Sequence, residues 1–201
     1  SFITGRGTRV TAEAMITKDI LENILKVSSK QLEDGHMTAM SSGVNIGMIG
    51  NNCNIANVIG AMFTACGQDI ACVHESSLGT LRFKDTNGDL YITLDLPALI
   101  VGTVGGGTNL PAQADFLEMI GCKGVHKAGR LAEIIAGFCL SLDLSTASAM
   151  ASGQFAAAHD RLGRNRPVQW FTNKDLTPDF FHRGFKRLYD DQDIVITQVE
   201  A

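Results

Sequence analysis

Residues 85–108 read Asp85-Thr-Asn-Gly-Asp-Leu-Tyr-Ile-Thr-Leu-Asp-Leu-Pro-Ala-Leu-Ile-Val-Gly-Thr-Val-Gly-Gly-Gly-Thr108. The Asn87-Gly88 pair is a hairpin signal, because a tight two-residue turn needs positive φ at both central residues. It predicts strands over 78–84 and 89–96. After the second strand come three consecutive glycines, Gly105, Gly106 and Gly107, flanked by Thr103 and Thr108. Glycine without a Cβ exposes backbone N–H groups and permits positive φ. Such a loop can cradle a phosphate, let a substrate approach the backbone, or simply turn tightly. No Gly-Lys-Ser/Thr follows and the G-x-G-x-x-G order is absent, so it is neither a P-loop nor a dinucleotide fingerprint.

Toward the N-terminus, residues 8–16 partly alternate and read as a third strand. Thr17 can cap a helix whose apolar face is Ile20, Leu21, Ile24 and Leu25. A further helical piece is expected over 28–41, then a glycine-bearing loop over 43–50. Residues 54–66 are almost continuously apolar or small and predict a helix buried on nearly all sides. Toward the C-terminus, helices are expected over 112–120, 130–140 and 145–159. Beyond Arg166-Pro167 the composition turns aromatic and charged, so 1–167 reads as one domain and 168–201 as a separate tail element. The fold class is α+β: a central buried helix, a β-hairpin in a sheet, and surrounding helices.

Of the 201 residues, 45% are hydrophobic, enough for a real core. A net charge of −4 gives no sign of a nucleic-acid partner. No run of 18 apolar residues suggests a membrane span, and Ser1–Arg9 has no apolar leader core. The five cysteines include no C-x-x-C pair and read as free thiols of a cytoplasmic protein.

Two ionisable residues stand out. Asp69 follows directly on the apolar helix, where a buried carboxylate needs a reason; it could relay a proton or be satisfied by local N–H groups. His159 ends the small-residue stretch Ala156-Ala-Ala-His159, and is either a general acid near neutral pH or a surface histidine. The remaining histidines form no ligand pattern, so no metal site is expected.

Three strings, in this order and spacing, change the weighing: Ala65-Cys-Gly-Gln-Asp69, Gly102-Thr-Val-Gly-Gly-Gly-Thr-Asn-Leu110, and Gly153-Gln-Phe-Ala-Ala-Ala-His159 followed by Arg164-Asn-Arg166. With Gly5-Arg-Gly7, Asn54-Ile-Ala-Asn57 and Gly88-Asp-Leu-Tyr-Ile92, they resemble the catalytic large domain of 3-hydroxy-3-methylglutaryl-CoA reductase over residues 5–166. The resemblance implies reduction of a CoA thioester with a nicotinamide cofactor. It makes Asp69 the centre of a catalytic network and His159 the acid for the departing thiolate, supplied across a homodimer interface. It makes Asn57 a substrate-pocket residue and places Thr103, Gly105, Gly106, Gly107 and Thr108 near substrate and cofactor.

The departures are equally specific. The family's catalytic lysine and glutamate, and its small cofactor-binding domain, would precede residue 1. The expectation is therefore that this chain alone binds no cofactor, and uses NAD(P)H only where a second reductase chain supplies that domain. A substrate-carboxylate lysine aligns with Met37, whose thioether cannot replace the charge; the adjacent His36 is the candidate substitute. The histidine before the pocket asparagine is Asn54 here. Three readings follow. The first is a repurposed pocket performing acid–base cyclisation, isomerisation or dehydration on an acyl or polyketide-like substrate. The second is half of a reductase, and the third a non-catalytic scaffold. The Met37 substitution and the expected lack of a cofactor domain rank the first narrowly above the second.

Overall fold

The computed structural model describes residues 5–164 and 177–180. Its contacts divide into two units, Ser1–Ala158 and His159–Ala201. The tail expected over 168–201 lies almost wholly outside the described residues.

In the first unit, three strands form an antiparallel sheet in the order β1-β3-β2: β1 is Thr8–Ile16, β2 Thr80–Thr86 and β3 Asp89–Leu99. The hairpin forms at the expected turn, with Asn87 at φ 55° and Gly88 at φ 97°. Strand β3 is central. Its Leu90, Ile92, Leu94, Leu96 and Leu99 are fully buried, joined on the same face by Leu81 and Phe83 of β2 and by Val10, Ala12, Ala14 and Ile16 of β1. This is the period-2 pattern of a sheet with one covered face. The opposite face carries polar pairs: Arg9 and Thr11 donate to Asp95, and Tyr91 Oη donates to Glu13. The β1–β3 register slips between Thr8 and Val10, opposite Pro97, which has no N–H to offer the ladder.

Up to residue 151 the described part of this unit has six α-helices: α1 (Lys18–Ile20), α2 (Ser29–Asn45), α3 (Ile55–Ala65), α4 (Val73–Ser76), α5 (Pro111–Met119) and α6 (Ala128–Ala151). Helix α2 starts in a capping box that pairs Ser28 with Gln31. Thr17 makes no side-chain cap; the Lys18 N–H is instead taken by Asp89 Oδ1 at 2.8 Å. Only Leu21 and Leu25 of the expected apolar face turn to the core, because Leu21–Leu25 winds as a π-helical turn that leaves Ile20 and Ile24 in solvent. Helix α3 is also less enclosed than its composition suggested. Ile55, Ile59, Met62 and Phe63 are buried, whereas Asn57, Ala61 and Thr64 face outward.

The expected break between helices at 130–140 and 145–159 does not exist. Helix α6 runs 24 residues without interruption, burying Leu131, Ile135, Cys139 and Ala147 against the sheet and α3. The chain breaks later, at Gly153 (φ 72°), before α7 (Gln154–His159). By length and composition alone α6 could cross a bilayer. In this fold its apolar stripe is part of the core.

Candidate functional site

At the C-terminal end of α3 the chain turns through Gly67 (φ 65°) and Gln68 into Asp69. The glycine string of 105–107 lies directly beneath. A Cβ added to Gly67 would sit 2.2 Å from the Gly107 carbonyl oxygen, and one added to Gly107 would sit 2.6 Å from that of Gly67. Two backbones touch here with no room for a side chain on either. Gly105 and Gly106 are glycine for another reason: both have positive φ, and their Cβ positions open onto free space. Gln68 fastens the two segments, donating to the Cys66 carbonyl at 2.8 Å and accepting from the Gly102 N–H at 2.7 Å.

Around this junction lies an open cleft of about 640 Å³, lined by Phe63, Asp69, Ile70, Val104, Gly105 and Gln113 among others. Asp69 is exposed, not buried as its position after an apolar helix suggested. It caps the short turn Ile70–Cys72: its Oδ1 accepts from the Ala71 N–H at 3.0 Å, and Cys72 Sγ lies 3.6 Å from Oδ2. The second carboxylate oxygen is therefore held only by a weak thiol donor and keeps its acceptor capacity. Arg6 lies within electrostatic reach of Asp69. Its guanidinium pairs with Glu75 and is raised by that hydrogen bond, with a smaller contribution from Asp69. Glu75 is held below the ordinary carboxylate range by the same pair.

The flanking threonines anchor the loop. Thr103 Oγ1 donates to the Gly124 carbonyl and Thr108 Oγ1 to the Gly105 carbonyl, each at 2.6 Å, and both side chains are buried. Asn57 stands near the opposite end of α3, outside this cleft, with its Nδ2 donating to Asn54 Oδ1. Met37 is 61% exposed. His36 turns to the inner side of α2, where its ring meets Phe83 edge-on at 5.1 Å. Burial, foremost, lowers its pKa, opposed by a backbone hydrogen bond with Leu81. It is thus a poor stand-in for a lysine charge. His159 ends α7 and begins the second unit. Among the described residues no group of three or more His, Cys, Asp or Glu is placed to hold a metal.

The profile of hydroxymethylglutaryl-coenzyme A reductase matches residues 1–164, which include the glycine string, Asp69 and His159. The chain belongs to that family. Among its relatives, the 3-hydroxy-3-methylglutaryl-coenzyme A reductase of Aeropyrum pernix is 43% identical over 168 residues, covering 81% of this chain and 40% of the relative. That of Pyrococcus horikoshii is 39% identical over 171 residues, covering 82% and 41%. The Blattella germanica enzyme is 38% identical over 176 residues, covering 82% and 21%. The chain thus spans about two-fifths of the archaeal relatives' length or less.

Three features, two at this cleft and one at the far end of α3, were missed in the sequence. Gln68 sits inside a recognised string, but its bridging role needs the fold. Arg6 is separated from Glu75 by 69 residues. The third is Asp143, which is fully buried in α6. Its Oδ1 accepts from the Asn54 N–H at 2.7 Å and its Oδ2 from the Cys53 N–H at 3.1 Å. A carboxylate from one helix thereby caps the N-terminus of another, where the peptide dipoles favour negative charge.

Proposed function

We propose that this chain forms the thioester-binding half of a hydroxymethylglutaryl-CoA reductase site. The observation that carries this reading is the Gly67–Gly107 junction, which sets Asp69 beside an open backbone ledge at Gly105 and Gly106. A flat ring or thioester can approach that ledge, because no Cβ stands in the way. Among the described residues the cleft's lining includes no lysine or arginine. Cofactor phosphates would need cations from outside it, as would a substrate carboxylate facing Met37. When bound, a nicotinamide supplies the hydride. The work assigned to this chain is to orient the thioester, to hold a proton donor network around Asp69, and to deliver a proton from His159 to the leaving thiolate.

The ranking of the sequence readings is reversed here. Over 81–82% of its length the chain tracks relatives named as reductases at 38–43% identity. A site adapted to unrelated chemistry would have less reason to retain Asp69, the glycine string and His159 together. The test is nicotinamide oxidation on HMG-CoA by the whole polypeptide carrying this chain. Asp69→Asn and His159→Ala should each lower kcat at least a hundredfold. Absence of oxidation with either nicotinamide cofactor would sink the reading.

The repurposed, non-redox reading keeps one observation in its favour: Met37 is an exposed thioether and His36 faces inward, so neither offers a charge to a carboxylate. Turnover of an acyl thioester lacking the carboxylate, with no nicotinamide consumed, would establish it. We also propose a homodimer. The apolar groove between α3 and α6, formed by Val58, Ala61, Met62, Phe138 and Leu142, supports a second copy as occupant. Phe138→Asp should shift sedimentation toward monomer.

A further inference from the structure

A second cavity, separate from the Asp69 cleft, lies between the inner face of α2, the hairpin and the C-terminal half of α6. It has a volume of about 290 Å³ and its walls are Leu32, Ala39, Cys53, Phe83, Ala147 and Met150. Among the described residues no Asp, Glu, Lys or Arg lines it. Two polar side chains reach its walls: Gln31, whose Oε1 is engaged by Ser28 in the α2 capping box, and His36, whose Nε2 is buried and has no hydrogen-bond partner among the described residues. A buried nitrogen left in that condition costs free energy, so a partner entering the cavity would be favoured.

The Leu81 N–H is already given to the Asn51 carbonyl at 2.7 Å. With Nε2 unbonded and that N–H spent, the ring can meet Leu81 only by donating from Nδ1 to its carbonyl, and that tautomer is part of what we propose. With burial keeping the ring neutral, Nε2 carries a lone pair and asks for a donor. An anion finds no counter-charge here, and Asp143 stands just behind Cys53.

We propose that this cavity binds a small, uncharged aliphatic molecule through one hydroxyl or amide N–H donated to His36 Nε2. The site is not the carboxylate position of the sequence comparison: Met37, which aligns there, is absent from its walls. The inference is independent of the reductase reading, since it uses neither Asp69 nor the glycine loop.

The experiment uses the 201-residue chain labelled with nitrogen-15 at histidine, titrated with 1-hexanol and followed at the His36 side-chain resonance. A saturable Nε2 shift is expected. Hexyl methyl ether, which has no donor, and hexanoate, which is charged, should each bind at least tenfold more weakly. His36→Phe should abolish the preference for the alcohol over the ether. Ala147→Phe fills the cavity while leaving the His36 side chain in the protein, and should abolish the hexanol shift while the sheet amides keep their positions. The proposal is overturned by no saturable shift, by equal binding of ether or hexanoate, or by a shift that survives Ala147→Phe.

Discussion

The two ends of helix α3 are built on opposite principles. At its C-terminal end, Gly67 meets Gly107 backbone to backbone, and the fit depends on what both residues lack. At its N-terminal end, the turn at Cys53 and Asn54 is held by the Asp143 carboxylate reaching across from α6. The first junction is steric and tolerates nothing added. The second is electrostatic and fails when something is removed. The Asp69 cleft belongs to the first and the His36 cavity borders the second. Each site therefore inherits a different sensitivity to substitution.

The sharpest way to break this comparison is Gly67→Ala. A methyl group 2.2 Å from a carbonyl oxygen, at positive φ, should cost about 3 kcal/mol or more in chemical denaturation. Gly105→Ala, with the same sign of φ but open space, should cost only about 1 kcal/mol. Equal losses would mean that backbone conformation alone, and not the close approach, explains the glycine string. Between these two falls Asp143→Ala, which strands two N–H groups; a loss of about 2 kcal/mol is expected.

The electrostatic end can be probed further with pH. Burial, foremost, raises the Asp143 pKa, and the N–H groups of Cys53 and Asn54 only partly offset it. A carboxyl whose pKa is higher folded than unfolded adds stability below its ordinary value of about 4. That stability is lost as pH rises through the folded value. The stability of the native protein relative to Asp143→Asn should therefore fall as pH climbs from about 4 toward neutrality. A rising difference would mean that the two N–H groups outweigh burial. The smallest effect is expected at Asp69→Asn, where the retained oxygen still caps Ala71 and the side chain is exposed. Stability should change by no more than about 0.5 kcal/mol.

This contrast also explains what could be read in advance. The hairpin was legible because Asn87-Gly88 has one conformational purpose, and the buried row of β3 because alternation survives in the sequence. Helix α3 and the glycine string were legible as local features. The broken reading of α6 left Ser141-Leu-Asp-Leu144 between the two expected helices. In the fold, Ser141 Oγ donates back to the Gly137 carbonyl, and Asp143 is satisfied by amides 89 and 90 residues earlier in the chain. No local pattern announces a partner so distant. The inward turn of His36 was hidden for the same reason, since the Phe83 ring and the Leu81 backbone reach it only through the packed sheet.

The Gly67–Gly107 contact has a consequence for genetics. A lesion in a packed core can usually be suppressed by a second change that makes room elsewhere. Here the obstructing atoms are main-chain carbonyls on both sides, and no substitution removes a carbonyl. In a screen for revertants, a Gly67→Ala lesion should return only as glycine at that same codon, or through changes that move a whole segment. Asp143 lesions, by contrast, should yield suppressors at scattered positions that bring a new acceptor to the same two amides.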